Sequence, residues 1–115
     1  MIYLISPYTH DSIHVMDYRY RMACKACSVL VDRKIVIYSP IVHWHLIAEA
    51  RELPRGHEFW MFHDHEMISL STAVILLKLK GWEDSDGVKR DVEEAEKLGK
   101  PIIYAELPEL LTIDL

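Results

Sequence analysis

Glycine is scarce in this chain: among 115 residues there are four. Neither a G-x-G-x-x-G dinucleotide turn nor a phosphate-binding P-loop can be written with them. No apolar run approaches the roughly 18–20 residues that a membrane span needs. The opening Met1-Ile2-Tyr3-Leu4-Ile5 has neither the basic start nor the length of a signal peptide. Basic residues are also outnumbered, 13 against 18 acidic, which leaves a formal net charge of −5. That balance disfavours non-specific binding to nucleic-acid polymers or anionic membranes and still permits a small, locally basic phosphate pocket. What the chain does have is a foldable mixture, 50% hydrophobic and 27% charged, which excludes a disordered polymer. The expectation is one soluble, cytoplasmic domain spanning residues 1–115.

Cysteine is limited to Cys24 and Cys27. Redox pairs of this C-x-x-C spacing sit at a helix N-terminus, where the dipole lowers the thiol pKa. This pair instead lies inside a helical pattern in which Tyr18, Met22, Ala26 and Val29 recur on one face, with Ala23, Cys27 and Leu30 on an adjacent row. Small buried thiols are ordinary core residues, and geometry disfavours a structural disulfide across one helical turn. The histidines raise the question of a metal, because His43-Trp44-His45 and His63-Asp64-His65 are both H-x-H. On a helix, positions i and i+2 face different ways, and no four-ligand zinc pattern accompanies them. No metal and no cofactor is therefore expected.

Strands and helices alternate along the sequence, predicting an α/β, three-layer, doubly wound (flavodoxin- or Rossmann-like) fold with a mainly parallel sheet of four to five strands. Residues 2–5 and 35–38 read as the first two strands, 73–77 as a central strand and 101–104 as the last. Helices are expected from about Ile13 to Val31, capped by Asp11 or Ser12, from about Glu58 to Ser69, and from a cap at Asp84 or Ser85 to Leu98. Gly99 stops the last helix as a left-handed cap. Residues 41–50 read as a loose, partly helical stretch.

In such sheets ligands bind outside the carboxyl ends of the strands. That edge collects Ser6-Pro7-Tyr8-Thr9, Ser39 to His45 and Lys80 to Asp91. On the last helix, Val88, Val92, Ala95 and Gly99 form the packing stripe, and Asp91, i+3 from Val88 and i−4 from Ala95, projects along it. Asp64 lies likewise within Trp60, Met67 and Ile68. A carboxylate on a packing face is costly unless it is paired, hydrogen-bonded or facing a pocket. Two of them make a candidate acid/base or nucleophile pair.

These pieces together resemble the nucleoside 2-deoxyribosyltransferase-like superfamily, in a small branch of it. The resemblance rests on Ile2-Tyr3-Leu4-Ile5-Ser6-Pro7-Tyr8, Ser39-Pro40-Ile41 with His43 and His45, Phe59-Trp60-Met61 with Asp64, and Gly81 to Val88 followed by Asp91 and Gly99-Lys100-Pro101. It implies an N-glycosidic-bond enzyme acting on nucleosides or nucleotides, either a transferase or a hydrolase. Asp91, four residues after Gly87, is then the nucleophile, Asp64 the acid on the leaving-base side and Tyr8 the phenol that orients the nucleophile. Substrate contacts fall on Ser6, Pro7, His43, His45, Lys80 (toward phosphate), Trp82 (stacking on a base, or packing as a lid), Ser85 and Gly87. Self-association is implied as well. Two positions depart from the family pattern: Asp91 stands where glutamate is usual, and Ser85 where an aspartate contacts the sugar. A non-catalytic nucleotide-binding module of the same fold is the alternative.

Overall fold

A computed structural model describes residues 1–115. Four strands, β1 (Ile2–Ile5), β2 (Ile37–Tyr38), β3 (Ala73–Leu77) and β4 (Ile102–Ala105), form one sheet in the order β2-β1-β3-β4. Every pairing is parallel, with Ile2 opposite Ile37 and Ala73, and Val74 opposite Ile102. The helices are α1 (Ile13–Asp32), α2 (Pro40–Arg51), α3 (His57–Leu70) and α4 (Asp86–Lys97). This is the expected α/β fold, and no helix is long and apolar enough to cross a membrane.

Period-two alternation in β1 and β3 divides the core. Leu4, Ile75 and Leu77 face α1, where they meet Ala26, Leu30 and, from the C-terminal tail, Leu110. Tyr3, Ile5, Val74 and Leu76 face the other way, onto Ile68 of α3 and Val88 and Ala95 of α4. Because β1 and β3 are buried on both faces, they read as unbroken apolar runs. A third cluster, Tyr8, Ala23, Ile41, Trp44, Ala48 and Trp60, joins α2 to α1 beyond the sheet edge.

Three local expectations are corrected. The segment after β2 is a continuous helix: Ser39 is its N-cap, accepting from Val42 N, and Pro40 opens it. Ser-Pro ends a strand, and it also makes a favourable helix start. Strand β2 is shorter than residues 35–38, because the Ile35 amide turns back to the Leu30 carbonyl (3.0 Å) after Lys34 adopts φ 63°. On α1 the buried row is Arg19, Ala23, Ala26 and Leu30, while Tyr18 is exposed. The caps resolve to Ser12 and Ser85, and Gly99 takes the left-handed conformation expected of it (φ 69°).

Candidate active site

The two central strands β1 and β3 send their connections to opposite sides, so the crevice between their C-terminal loops is a topological switch point. One buried cation ties these two loops together. Arg19 donates to the carbonyls of Thr9 (3.0 Å) and Tyr8 (3.4 Å) on one loop and of Lys80 (3.3 Å) on the other. Gly81 makes room for it: its φ is +90°, and a Cβ there would stand 2.6 Å from Arg19 Nη2.

Asp91 lies on the inward face of α4, as its phase predicts, and is buried. Both oxygens are engaged. Tyr3, fully buried on β1, donates its hydroxyl to Oδ2 at 3.1 Å, and Nε2 of His57 lies 2.9 Å from Oδ1. Burial, followed by the nearby Asp91 charge, raises the Tyr3 phenol well above its usual range, so it stays a donor. The bond to Asp91 outweighs burial and raises His57.

Asp64, on the inward face of α3, is 4% exposed, and its Oδ1 has no hydrogen-bond partner. Burial and then the charge of Asp91 push its carboxyl up to about 7, against a downward pull from His57. Donor atoms of His57, Asp64 and Asp91 all lie within 4.8 Å of one another. The three residues border two openings. One is a tight crevice of about 40 Å³ toward Ser6, Tyr8, Arg55 and Gly87, and the other a groove of about 840 Å³ between α3 and α4, walled by Met61, Phe62 and Arg90.

The remaining expected residues divide sharply. Ser6, Ser85 and Gly87 line the crevice, Ser6 with a buried hydroxyl that finds no partner. Pro7 is fully buried and does not line it. Tyr8 borders the crevice without touching Asp91: its hydroxyl lies 2.7 Å from His45 Nδ1 and accepts from Arg55 at 2.7 Å. The phenol that orients Asp91 is therefore Tyr3, placed by strand alternation on the α4 side of the sheet, whereas Tyr8 follows the chain out toward α2.

His43 and His45, on one helix, diverge as i and i+2 positions must. His45 is buried and stacked on Tyr20 (3.9 Å between ring centroids), and His43 stacks on His63 (5.0 Å). Neither lines the crevice or the groove. Lys80 is exposed and contributes its backbone carbonyl to Arg19. Trp82 packs on Tyr104, with Val88 and Val92, in a separate recess, the lid-like packing of its two readings. Both thiols are unpaired and half-buried, and burial pushes Cys27 up to about 11, the state of a packing thiol rather than a redox one.

A family described as a domain of unknown function, DUF1937, has a sequence model that matches residues 1–106. The chain belongs to that family. Its match takes in all four strands and all four helices of this DUF1937 domain, with Tyr3, His57, Asp64 and Asp91. No curated protein matches the sequence.

Sequence reasoning passed over Tyr3, His57 and Arg19. The signals were present. His57 lies seven residues before Asp64, on the Trp60–Asp64–Ile68 stripe extended by one turn. Tyr3 is the one hydroxyl in an otherwise aliphatic strand, and Arg19 the one charge on its buried row.

Proposed function

We propose that this domain cleaves the N-glycosidic bond of a (deoxy)nucleoside or nucleotide with Asp91 as nucleophile. The supporting observation is the buried carboxylate pair, in which Asp64 keeps its proton to about pH 7 and Asp91 is held by two donors. In the first step an Asp91 oxygen bonds to the anomeric carbon, and the bond to the base nitrogen breaks. Its electron pair leaves with the base, which takes the Asp64 proton. The sugar is then an ester of Asp91, released to a second base in transfer or to water in hydrolysis. The carboxyl oxygens, within 4.8 Å, lie closer than the ~6.5–9.5 Å that admits a water for single-step inversion. The resemblance to nucleoside 2-deoxyribosyltransferases points the same way. With it come a small-molecule partner and self-association, for which exposed Phe59, Met61 and Phe62 on α3 offer an apolar surface. A cytoplasmic setting fits the two unpaired cysteines.

A second reading, a nucleotide-binding module without turnover, is favoured by one feature: both Asp91 oxygens are already engaged. Chromatography of 2-deoxynucleosides and their monophosphates, incubated with the protein with and without a second base, separates the two. Free base or exchanged nucleoside, lost in Asp91→Asn, is the expected result. Binding without product over long incubation selects the module, and full activity in Asp91→Asn removes the nucleophile assignment.

A further inference from the structure

Asp64 presents a buried carboxyl oxygen with no hydrogen-bond partner, and Ser6, 8% exposed, a buried hydroxyl with none on the wall of the same crevice. Buried polar atoms in folded proteins are nearly always satisfied by protein, water or an ion, and a buried carboxylate beside a second one is costlier still. Around this gap stand one imidazole and two carboxylates from α3 and α4, with donor atoms within 4.8 Å of one another. Protein ligands of one transition cation, each at about 2.0–2.2 Å from it, lie roughly 3–4 Å apart. His57 Nε2 and Asp91 Oδ1, at 2.9 Å, stand just under that spacing, and Asp64 offers a ligand atom within 4.8 Å of both residues' ligand atoms.

We infer that His57, Asp64 and Asp91 form a binding site for a divalent transition-metal cation such as Mn²⁺ or Zn²⁺. An imidazole with two carboxylates suits these ions, whereas Mg²⁺ and Ca²⁺ favour all-oxygen sets. The outer shell is in place on one side: the Tyr3 hydroxyl fixes the Asp91 oxygen that points away from His57. Of the two arginines bordering the cluster, Arg90 is turned to Glu58 at 3.6 Å and Arg55 donates to the Tyr8 hydroxyl. Of the other histidines, His63 brings Nδ1 to 4.0 Å from Asp64 Oδ1, beyond hydrogen-bond reach, with that nitrogen also 3.2 Å from the Tyr38 hydroxyl, and His45 Nδ1 is taken by Tyr8. Three protein ligands leave open positions toward the groove. A cation here competes with an anomeric carbon for the same Asp91 oxygen, so it inhibits the reaction proposed above. The inference itself needs no reaction.

The test is calorimetric titration of chelator-stripped protein with Mn²⁺, Zn²⁺ and Mg²⁺, each as the chloride. Mn²⁺ is the deciding probe because thiolates hold it poorly, which sets Cys24 and Cys27 aside. One equivalent of Mn²⁺ is expected, weakened at least about 100-fold in Asp64→Asn and in His57→Gln, with no comparable uptake of Mg²⁺. In wild-type protein, substoichiometric Mn²⁺ should broaden the amide resonances around residues 57, 64 and 91 first, a readout that needs no variant to fold. Absence of saturable binding overturns the site, as does broadening centred on other histidines or equal affinity in both variants. Base release without metal binding disposes of this inference alone; metal binding without base release disposes of the glycosidic reading alone.

Discussion

At Asp64 a single proton couples chemistry to stability. Its folded pKa, about 7, stands above the 3.8 of an unperturbed aspartic acid, so between those values the folded chain holds a proton that the unfolded chain has lost. The Asp64 contribution to stability therefore falls as pH rises from about 4 to 7 and is constant above. His57, also raised, acts in the same direction: its contribution is full below pH ~6.5 and is lost as pH rises through its folded pKa. Asp64→Asn keeps the shape and removes the charge. It should stabilise the protein by about 1–3 kcal/mol at pH 8, with the gain shrinking toward pH 4. Urea unfolding across that range checks it; a gain that grows on acidification would place the ionised carboxylate in a favourable environment instead. On the glycosidic reading proposed above the same substitution should slow base release, so activity and stability would part company at this residue.

Among the elements, the turn between β3 and α4 is the most constrained. Gly81 and Gly99 both have positive φ, but a Cβ at Gly99 would meet nothing within 4 Å, whereas at Gly81 it would displace the Arg19 guanidinium. Gly99→Ala should cost about 1 kcal/mol. Gly81→Ala should cost about 2–4 kcal/mol, because backbone strain adds to the loss of the bond to Lys80. Equal midpoints for the two variants in chemical denaturation would dismiss Arg19 as a strap. Element type and phase were legible where a single period dominates: of the stripes that located Asp64 and Asp91, Trp60 and Ile68 in α3 and Val88 and Ala95 in α4 are buried as expected, while Met67 and Val92 are half-buried and Gly99 is exposed past the helix end. Legibility failed where one signal serves two structures, as Ser39-Pro40 does at the end of β2 and the start of α2. It failed again where the decision is tertiary. Tyr3 lies within the first strand and Tyr8 on the loop that follows it, and only sheet orientation decides which phenol reaches α4.

On the scale of the whole molecule, Arg19 makes the ends of β1 and β3 one unit, and Arg33 fixes the tail to α1 through the carbonyls of Leu110 and Ile113 (2.7 and 2.6 Å). That tail packs on the face of the sheet opposite the carboxylates. Arg19→Met leaves three carbonyls without their donor. Amide exchange in the loops at residues 8–9 and 80–82 should then accelerate at least about tenfold, while β3 stays protected. Uniform acceleration would mean a global loss of stability instead. The strap also divides the site mechanically. Tyr3 is part of the sheet, and Asp91 is bonded to it from α4. His57 and Asp64 both ride on α3, which joins the rest of the chain through residues 52–56 before it and Ser71–Thr72 after it. The arrangement is an anvil and a jaw: one carboxylate is fixed to the frame, and the second carboxylate and the imidazole are carried together on a single rod. Any tilt of that rod changes the distance to Asp91 for both groups at once, so on the glycosidic reading proposed above one mechanical coordinate would set both the proton donor and the restraint on Asp91.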